Sequence, residues 1–390
     1  MRPRPSLFGH TRLVSLLVSL ALTGILSGMM LGQSCKSTVT GTVYSPNGSS
    51  GGDPIPNILV YAIDDVALPT FASQGLIGIQ NSDCSTASQT LVPATNYGHA
   101  TTDAFGHFSF SSNQLPATAN IIIQAGKWRR QFLHTTINQC GTTQLPELDM
   151  PGSKSDGDLP QIAVATGSAD ALECIFRQIG IQDSEVTQPG GTGSINLYAG
   201  SYSPGQTNPD STGLTGTNPT PSESVLESDS TILSSYDVVI FGCQGHVPTS
   251  DDSTALANVE DFANHGGRVF AGHFGYVWLS DVPDWSGVAD WNTKPSTITG
   301  DGFDSKTQTG QGLGIIDTTT FGEGKILADW LHGIGADYNG NYGQMLLNNV
   351  RYDQFATHPP AQSWIDLNYS VGNNPSMQFT FDTPLGVSGS

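Results

Sequence analysis

The sequence predicts a multidomain β plus α/β protein: a β-sandwich over 35–150, a parallel α/β domain over 161–344 and a short C-terminal β segment over 345–390. Three observations predict it. The first third alternates apolar and polar residues and shows no 3.6-residue period. From Ile162 onward, unalternated apolar runs take turns with amphipathic helical stripes. Past residue 345 the alternation returns.

In the first third, Thr38-Val39-Thr40-Gly41-Thr42-Val43-Tyr44 is alternating and β-branched, and Ile58–Ala62 forms a second strand. Residues 63–100 read as a Ser/Thr-rich insertion holding Cys84. The Asp103-x-x-Gly106 centre is turn chemistry, and the strand after it sets Phe108 and Phe110 on one face. Ile121–Gln124 and Arg130–Leu133 are further strands around Gly126 and Trp128. The Pro/Gly/Ser/Asp-rich residues 151–160 read as a linker.

Beyond the linker, Ile162–Ala165 is a short buried strand. Leu172, Ile175, Phe176 and Ile179 fall at i, i+3, i+4 and i+7, a helical stripe ending at Gly180. Ile195–Tyr198 is a second strand, and a long loop over 199–230 follows. Tyr236–Phe241 is the strongest strand, unalternated as buried parallel strands are. A helix capped at Thr249-x-x-Asp252 carries Ala255, Leu256, Val259, Phe262 and Ala263, and Gly266-Gly267 ends it before the strand Arg268–Ala271. Lys325–Gly335 is another helix. Strand and helix alternate, so a parallel sheet with flanking helices is expected. The strand at Met377–Phe381 has no visible partner in the sequence.

Residues 1–34 have the form of a signal peptide: Arg2, Arg4 and Arg12 precede an apolar run from Leu13 to Leu31. The run is long enough for an uncleaved anchor. Small residues at Gly32 and Ser34, and a lone Lys36 with no basic cluster, point instead to cleavage before Cys35. Losing three Arg takes the formal charge from −20 to −23. So acidic a chain, without a basic run, is a poor partner for nucleic acid. With only 12% charged residues it is not a disordered polyelectrolyte either.

Cys35 at the start of the mature chain resembles the lipidated cysteine of bacterial lipoproteins, although Gly32 and Gln33 depart from the lipobox. Lipidation and plain secretion both stay open, and the expected location is the outer membrane or the outside of the cell. Membrane contact is expected only through that lipid. Of five Cys, four would then remain for pairing, with three possible connectivities. Pairing within domains gives Cys84–Cys140 and Cys174–Cys243. Cys174 lies opposite the Leu172/Ile175/Ile179 face of its helix, which weakens the second pair.

Two places have residues suited to chemistry. Gly242-Cys243-Gln244-Gly245 ends one strand with His246 beside it, and Gly272-His273-Phe274-Gly275 ends the next. Both fall where open α/β sheets gather ligands, so a hydrolase working from His246, Cys243 and His273 is one reading. A disulfide or buried thiol at Cys243 is the simpler one. No H-x-H or H-x-x-x-H spacing supplies two metal ligands from one element, and neither metal nor cofactor is expected. Trp278 and Trp285 stand among aromatics and acids after the same strand, a pairing that sugar clefts use. The alternative is that these rings simply pack a long loop.

Two family resemblances accompany these residues. "VTGTVYSPNG…PIPNILVYAID…TTDAFGHFSF" looks like the carboxypeptidase regulatory-like domain, a transthyretin-type sandwich of the carbohydrate-binding-like fold. Such domains are accessory modules, and no catalytic residue carries over. "YDVVIFGCQG…LANVEDFANHGGRVFAGHFG" resembles the glutamine-amidotransferase-like superfamily in its trehalose-utilisation branch, implying a flavodoxin-like parallel α/β domain. That family places its nucleophilic Cys at the turn where this chain has His273, so glutaminase activity is not implied. The two modules together resemble secreted proteins of myxobacterial type. The expectation is a non-catalytic envelope or extracellular protein that binds carbohydrate or another polar surface polymer, with His246, His273, Trp278 and Trp285 at the ligand. A purely structural surface module is the third reading.

Overall fold

In this computed structural model the described residues are 35–64, 96–167, 170–200, 220–245, 253–291, 312–348, 350, 354–368 and 375–386. Residues 1–34 lie outside them. Among the described residues no helix is long and apolar enough to cross a membrane. The chain is a multidomain β plus α/β protein.

Among the described residues the first unit has eight strands: β1 (Ser37–Tyr44), β2 (Leu59–Ile63), β3 (Gly98–Thr101), β4 (His107–Ser112), β5 (Thr118–Ala125), β6 (Trp128–Thr136), β7 (Thr142–Gln144) and β8 (Leu148–Asp149). One sheet runs β4-β1-β7, with β8 also on β1, and the other runs β3-β2-β5-β6. Alternation in β1 turns Val39 and Val43 inward, where with Phe108 and Phe110 they meet Val60, Ile121 and Ile123. Burying each such side chain contributes roughly 1.5–3 kcal/mol. The turn before β4 is built as its sequence implies: Asp103 Oδ1 accepts the N–H groups of Phe105 and His107, both at 2.9 Å. Gly106 closes it at φ +73°, where a Cβ would lie 2.5 Å from the Val43 carbonyl oxygen.

β1 and β7 pair in parallel, Thr38 opposite Thr142. That register brings the residues just before each strand together, and Cys35 is disulfide-bonded to Cys140 with Cα atoms 5.0 Å apart. The expected Cys84–Cys140 bond is therefore not the one formed, and Cys84 lies outside the described residues. Lipidation at Cys35 is corrected by the same bond, because a lipid thioether needs the sulfur that Cys140 holds. The segment 151–160, expected as a linker, is fastened to β6. Arg129 and Asp158 exchange backbone hydrogen bonds and a side-chain ion pair at 2.8 Å, and Trp128 Nε1 donates to the Pro151 carbonyl.

The second unit is a five-stranded parallel sheet of β9 (Ile162–Thr166), β10 (Val186–Thr187), β11 (Ile195–Ala199), β12 (Val238–Phe241) and β13 (Arg268–Ala271), ordered β10-β11-β9-β12-β13. The chain leaves β9 toward β11 and later returns to its other side with β12. The strand order thus reverses between β9 and β12. Of the stripe predicted after β9, Phe176 is buried against Val164, Ile195 and Leu197, whereas Ile175 is exposed. The long loop holds two short helices, Glu223–Glu227 and Ser230–Leu233, capped by Ser222 and Asp229. The helix Ser253–Asn264 lays Ala255, Val259, Phe262 and Ala263 on the sheet.

The remaining strands are β14 (Ala289–Trp291), β15 (Gly312–Ile316), β16 (Gln344–Leu347), β17 (Gln354–Thr357), β18 (Gln362–Leu367) and β19 (Ser376–Thr380). β14 pairs with β17, and the others form an antiparallel sheet ordered β16-β15-β18-β19. The helix Gly322–Gly333 packs Ala328 and Leu331 on Ile316 and Ile365 of this sheet. It therefore does not flank the parallel sheet as expected. The chain goes out along β15 and returns antiparallel along β16, so β15 belongs to one sheet with β16, β18 and β19. The terminal strand has a partner, β18.

The units are cross-tied. Trp128 packs against both the sandwich core and the parallel-sheet core. Lys127 pairs with Asp237, and Trp330 Nε1 donates to the Pro54 carbonyl at 2.8 Å.

Candidate functional site

Four strands of the parallel sheet end directly in glycine: β9 in Gly167, β11 in Gly200, β12 in Gly242 and β13 in Gly272. The strand order reverses between β9 and β12, and the carboxyl end of such a reversal is where open α/β sheets place ligands. Asp170, four residues past β9, sets its carboxylate against three of these glycines. An ideal Cβ on Gly167 would lie 2.7 Å from Oδ1, one on Gly242 3.1 Å from it, and one on Gly272 3.3 Å from Oδ2. Gly167 has no room for a side chain at all, since its Cβ would lie 2.1 Å from the Cys243 carbonyl oxygen.

Asp170 Oδ1 accepts the Cys243 N–H at 2.7 Å. Withdrawal from water raises its pKa above the ordinary carboxylate value, and hydrogen bonds from the backbone of Cys243 and of Asp170 itself oppose the rise. The half-buried carboxylate thus sits at the rim with one oxygen fixed to the turn after β12.

The next residue in that turn is held from the other side. Gln244 Nε2 donates to Glu223 Oε2, and both side chains are buried. Glu223 belongs to the short helix that joins the end of β11 through the Ala199–Ser222 bridge. Burial pushes its pKa up to about 8, the nearby Glu227 adds to the rise, and the Gln244 hydrogen bond opposes it. Among the described residues, Glu223 Oε1 and Thr166 Oγ1 at the ends of β11 and β9 are buried without a hydrogen-bond partner. Unsatisfied polar atoms in such a place suit a polar guest.

The residues singled out from the sequence are not all brought here. His246 lies outside the described residues. His273 opens a 3-10 turn, His273–Tyr276, straight after β13, so its backbone stands at the correct end of the sheet. Trp278 and Trp285 are corrected. They are 0% and 2% exposed, and Trp278 stacks on Phe241 with ring centres 4.5 Å apart, so they fill the core beneath the loop and face no ligand. A loop that doubles back through a 3-10 turn and the short helix Val277–Ser280 drives its own rings inward. Cys174 is exposed and Cys243 buried, and no disulfide joins them, because the helix turns Cys174 away from the sheet. Among the described residues no three His, Cys, Asp or Glu cluster as a metal site would need.

Sequence reasoning missed Asp170, Glu223 and Gln244. The available signal was the repeated strand-then-glycine ending, with an acid closely following the first of the four. No known protein-family model matches this chain, and no curated protein matches it.

Proposed function

We propose that the chain is an exported, non-catalytic binding protein whose parallel sheet takes a polar, hydroxyl-rich ligand, a carbohydrate or polar surface polymer, at its carboxyl end. The observation that carries this reading is the Asp170 carboxylate set against Gly167, Gly242 and Gly272 at the reversal point of the sheet. Gly242 and Gly272 spend their N–H groups on the Ala165 and Phe241 carbonyls, so the reading rests on the half-buried carboxylate, which accepts hydrogen bonds from hydroxyls. Glu223 and Gln244 add an acid and an amide behind it. A hydrolase built on Cys243 is disfavoured because that side chain is only 2% exposed, and a nucleophilic thiolate has to reach its substrate.

The order β11-β9-β12-β13 supports the flavodoxin-like reading of this unit, with His273 after β13 where amidotransferases keep their cysteine. The Cys35–Cys140 bond supports an oxidising compartment, and we infer release or envelope residence without a lipid on Cys35.

The test is a screen of saccharides and surface polymers with the full chain, followed by Asp170→Asn. The change keeps the shape and removes the charge, and binding should weaken by about 1–2 kcal/mol. Unchanged affinity in Asp170→Asn would move the site away from this end of the sheet.

A further inference from the structure

The Asp170 crevice contains a niche of definite electrostatic sign. Oδ1 of Asp170 is taken by the Cys243 N–H, and Oδ2 faces the space that the missing side chain of Gly272 leaves open. Outside the chain neighbours of Gly272, three heavy atoms lie nearest to where its Cβ would stand. They are Asp170 Oδ2 at 3.3 Å, the Phe241 carbonyl oxygen at 3.8 Å and Phe270 Cε1 at 3.8 Å. Phe270 precedes Gly272 by two residues, so pleating sets both on one face of β13, and its ring is 49% exposed.

Two of these atoms are hydrogen-bond acceptors, the third is a ring carbon, and none is a donor. The Phe241 carbonyl accepts the Gly272 N–H at 3.0 Å and keeps a second lone pair. The charge of Asp170 is unanswered as well. Burial and backbone hydrogen bonds act on its carboxylate, and among the described residues no Lys, Arg or His pairs with it. Arg268, the one cation of β13, stands four residues before Gly272 with Phe270 between them. An anion finds no donor in this niche, and a hydroxyl would turn its own lone pairs toward two oxygens. An ammonium group brings three donors and no acceptor. Its hydrogen bond to a carboxylate is charge-assisted and about twice as strong as a neutral one. An open aromatic ring attracts the same charge, and the formal charge of −20 steers cations toward the chain.

We propose that the crevice selects its ligand by a primary ammonium group, held among Asp170 Oδ2, the Phe241 carbonyl and the Phe270 ring, and that the ligand is an amino sugar or a polymer of one. The sugar part of this assignment rests on the function proposed above; the ammonium part rests on the niche.

The experiment is calorimetric titration of the full chain with tetrasaccharides of glucosamine, N-acetylglucosamine and glucose in the same β-1,4 linkage, and with tetralysine. It is run at about pH 6, where the free amines are protonated. The glucosamine tetrasaccharide should bind about tenfold more tightly than the other two sugars and than tetralysine. That preference should shrink as salt is added, and Asp170→Asn should erase it. Phe270→Leu keeps apolar bulk and should weaken glucosamine binding by about threefold to fivefold. Phe270→Tyr keeps the ring and should stay near wild type, and thermal unfolding of both Phe270 variants should match wild type. Equal affinity for the three sugars, lost in Asp170→Asn, would overturn the ammonium assignment and leave the crevice standing as a hydroxyl site. Tetralysine bound more tightly than the glucosamine tetrasaccharide would overturn the amino sugar. No binding of the glucosamine tetrasaccharide would overturn the proposal, whereas Asp170-dependent binding of another saccharide would still support the crevice.

Discussion

Lys127 Nζ lies 2.7 Å from Asp237 Oδ1, with both side chains nearly withdrawn from solvent, at 11% and 6% exposure. Lys127 sits between β5 and β6 of the sandwich, and Asp237 immediately precedes β12 of the parallel sheet, where its Oδ2 also accepts the Gln161 N–H. The pair clamps the amino end of the parallel sheet to the sandwich, at the opposite end from the Asp170 crevice. Removing one partner takes the counter-ion from the other's buried charge. Lys127→Met or Asp237→Asn should each cost about 3–5 kcal/mol in denaturant unfolding. A double variant that removes both charges should cost less than the two single variants together.

The Cys35–Cys140 bond predicts a peptide map. Non-reducing digestion of exported protein should join the peptides holding Cys35 and Cys140. Changing both to Ser should lower stability by roughly 2–5 kcal/mol. In the folded protein a thiol reagent should label exposed Cys174 quickly and buried Cys243 only after denaturation. A peptide joining Cys84 to Cys140 would contradict the β1–β7 register.

Glu223 sets a pH window. Its folded pKa, about 8, stands above the ordinary glutamate value of 4.5, mainly through burial. The folded state therefore holds the proton more tightly than the unfolded chain. Its contribution to stability is complete below about pH 4.5 and is lost as pH rises through 8. Stability measured from pH 5 to 9 should fall on this account by a few kcal/mol. Glu223→Gln should flatten that fall while keeping a polar partner for Gln244.

Trp278 should behave as core. With no exposure and a stacked contact to Phe241, Trp278→Ala should cost about 3–5 kcal/mol in unfolding experiments. Trp278→Phe should cost less, since it also removes an indole N–H that is buried without a hydrogen-bond partner. A Trp278→Ala protein that unfolds like wild type but loses ligand would restore this ring to a binding role.

Much of the fold was legible because local patterns carried it. β1, β9, β11, β12 and β13 lie on the runs of Val, Ile, Thr and Ala that predicted them, and the Asp103–Gly106 turn followed from side-chain chemistry alone. Pairings distant in sequence were less legible. Helical periodicity at Ile326, Leu327 and Trp330 announces a helix, but it does not say whether a parallel or an antiparallel sheet lies beneath. The partner of Cys140 depended on a parallel register between strands about a hundred residues apart, which no local signal encodes. Aromatic crowding after β13 suits a sugar cleft and a packed loop alike, and the tight turn that decides for packing leaves no local signal in the sequence. Asp170 escaped notice because its importance comes from three glycines on three different strands.

The arrangement around β1 constrains how the sandwich can assemble. β1 has β4 on one side and β7 and β8 on the other, so the first strand of the unit is an interior strand whose second neighbours come from its end. A chain that emerges from its amino end exposes one edge of β1 until Asp149 has appeared. Through that interval the edge is a template for stray pairing, and closing it requires contacts of long sequence separation, which form slowly. A nascent chain halted before residue 142 should therefore be sticky and protease-sensitive, and one halted after 150 compact.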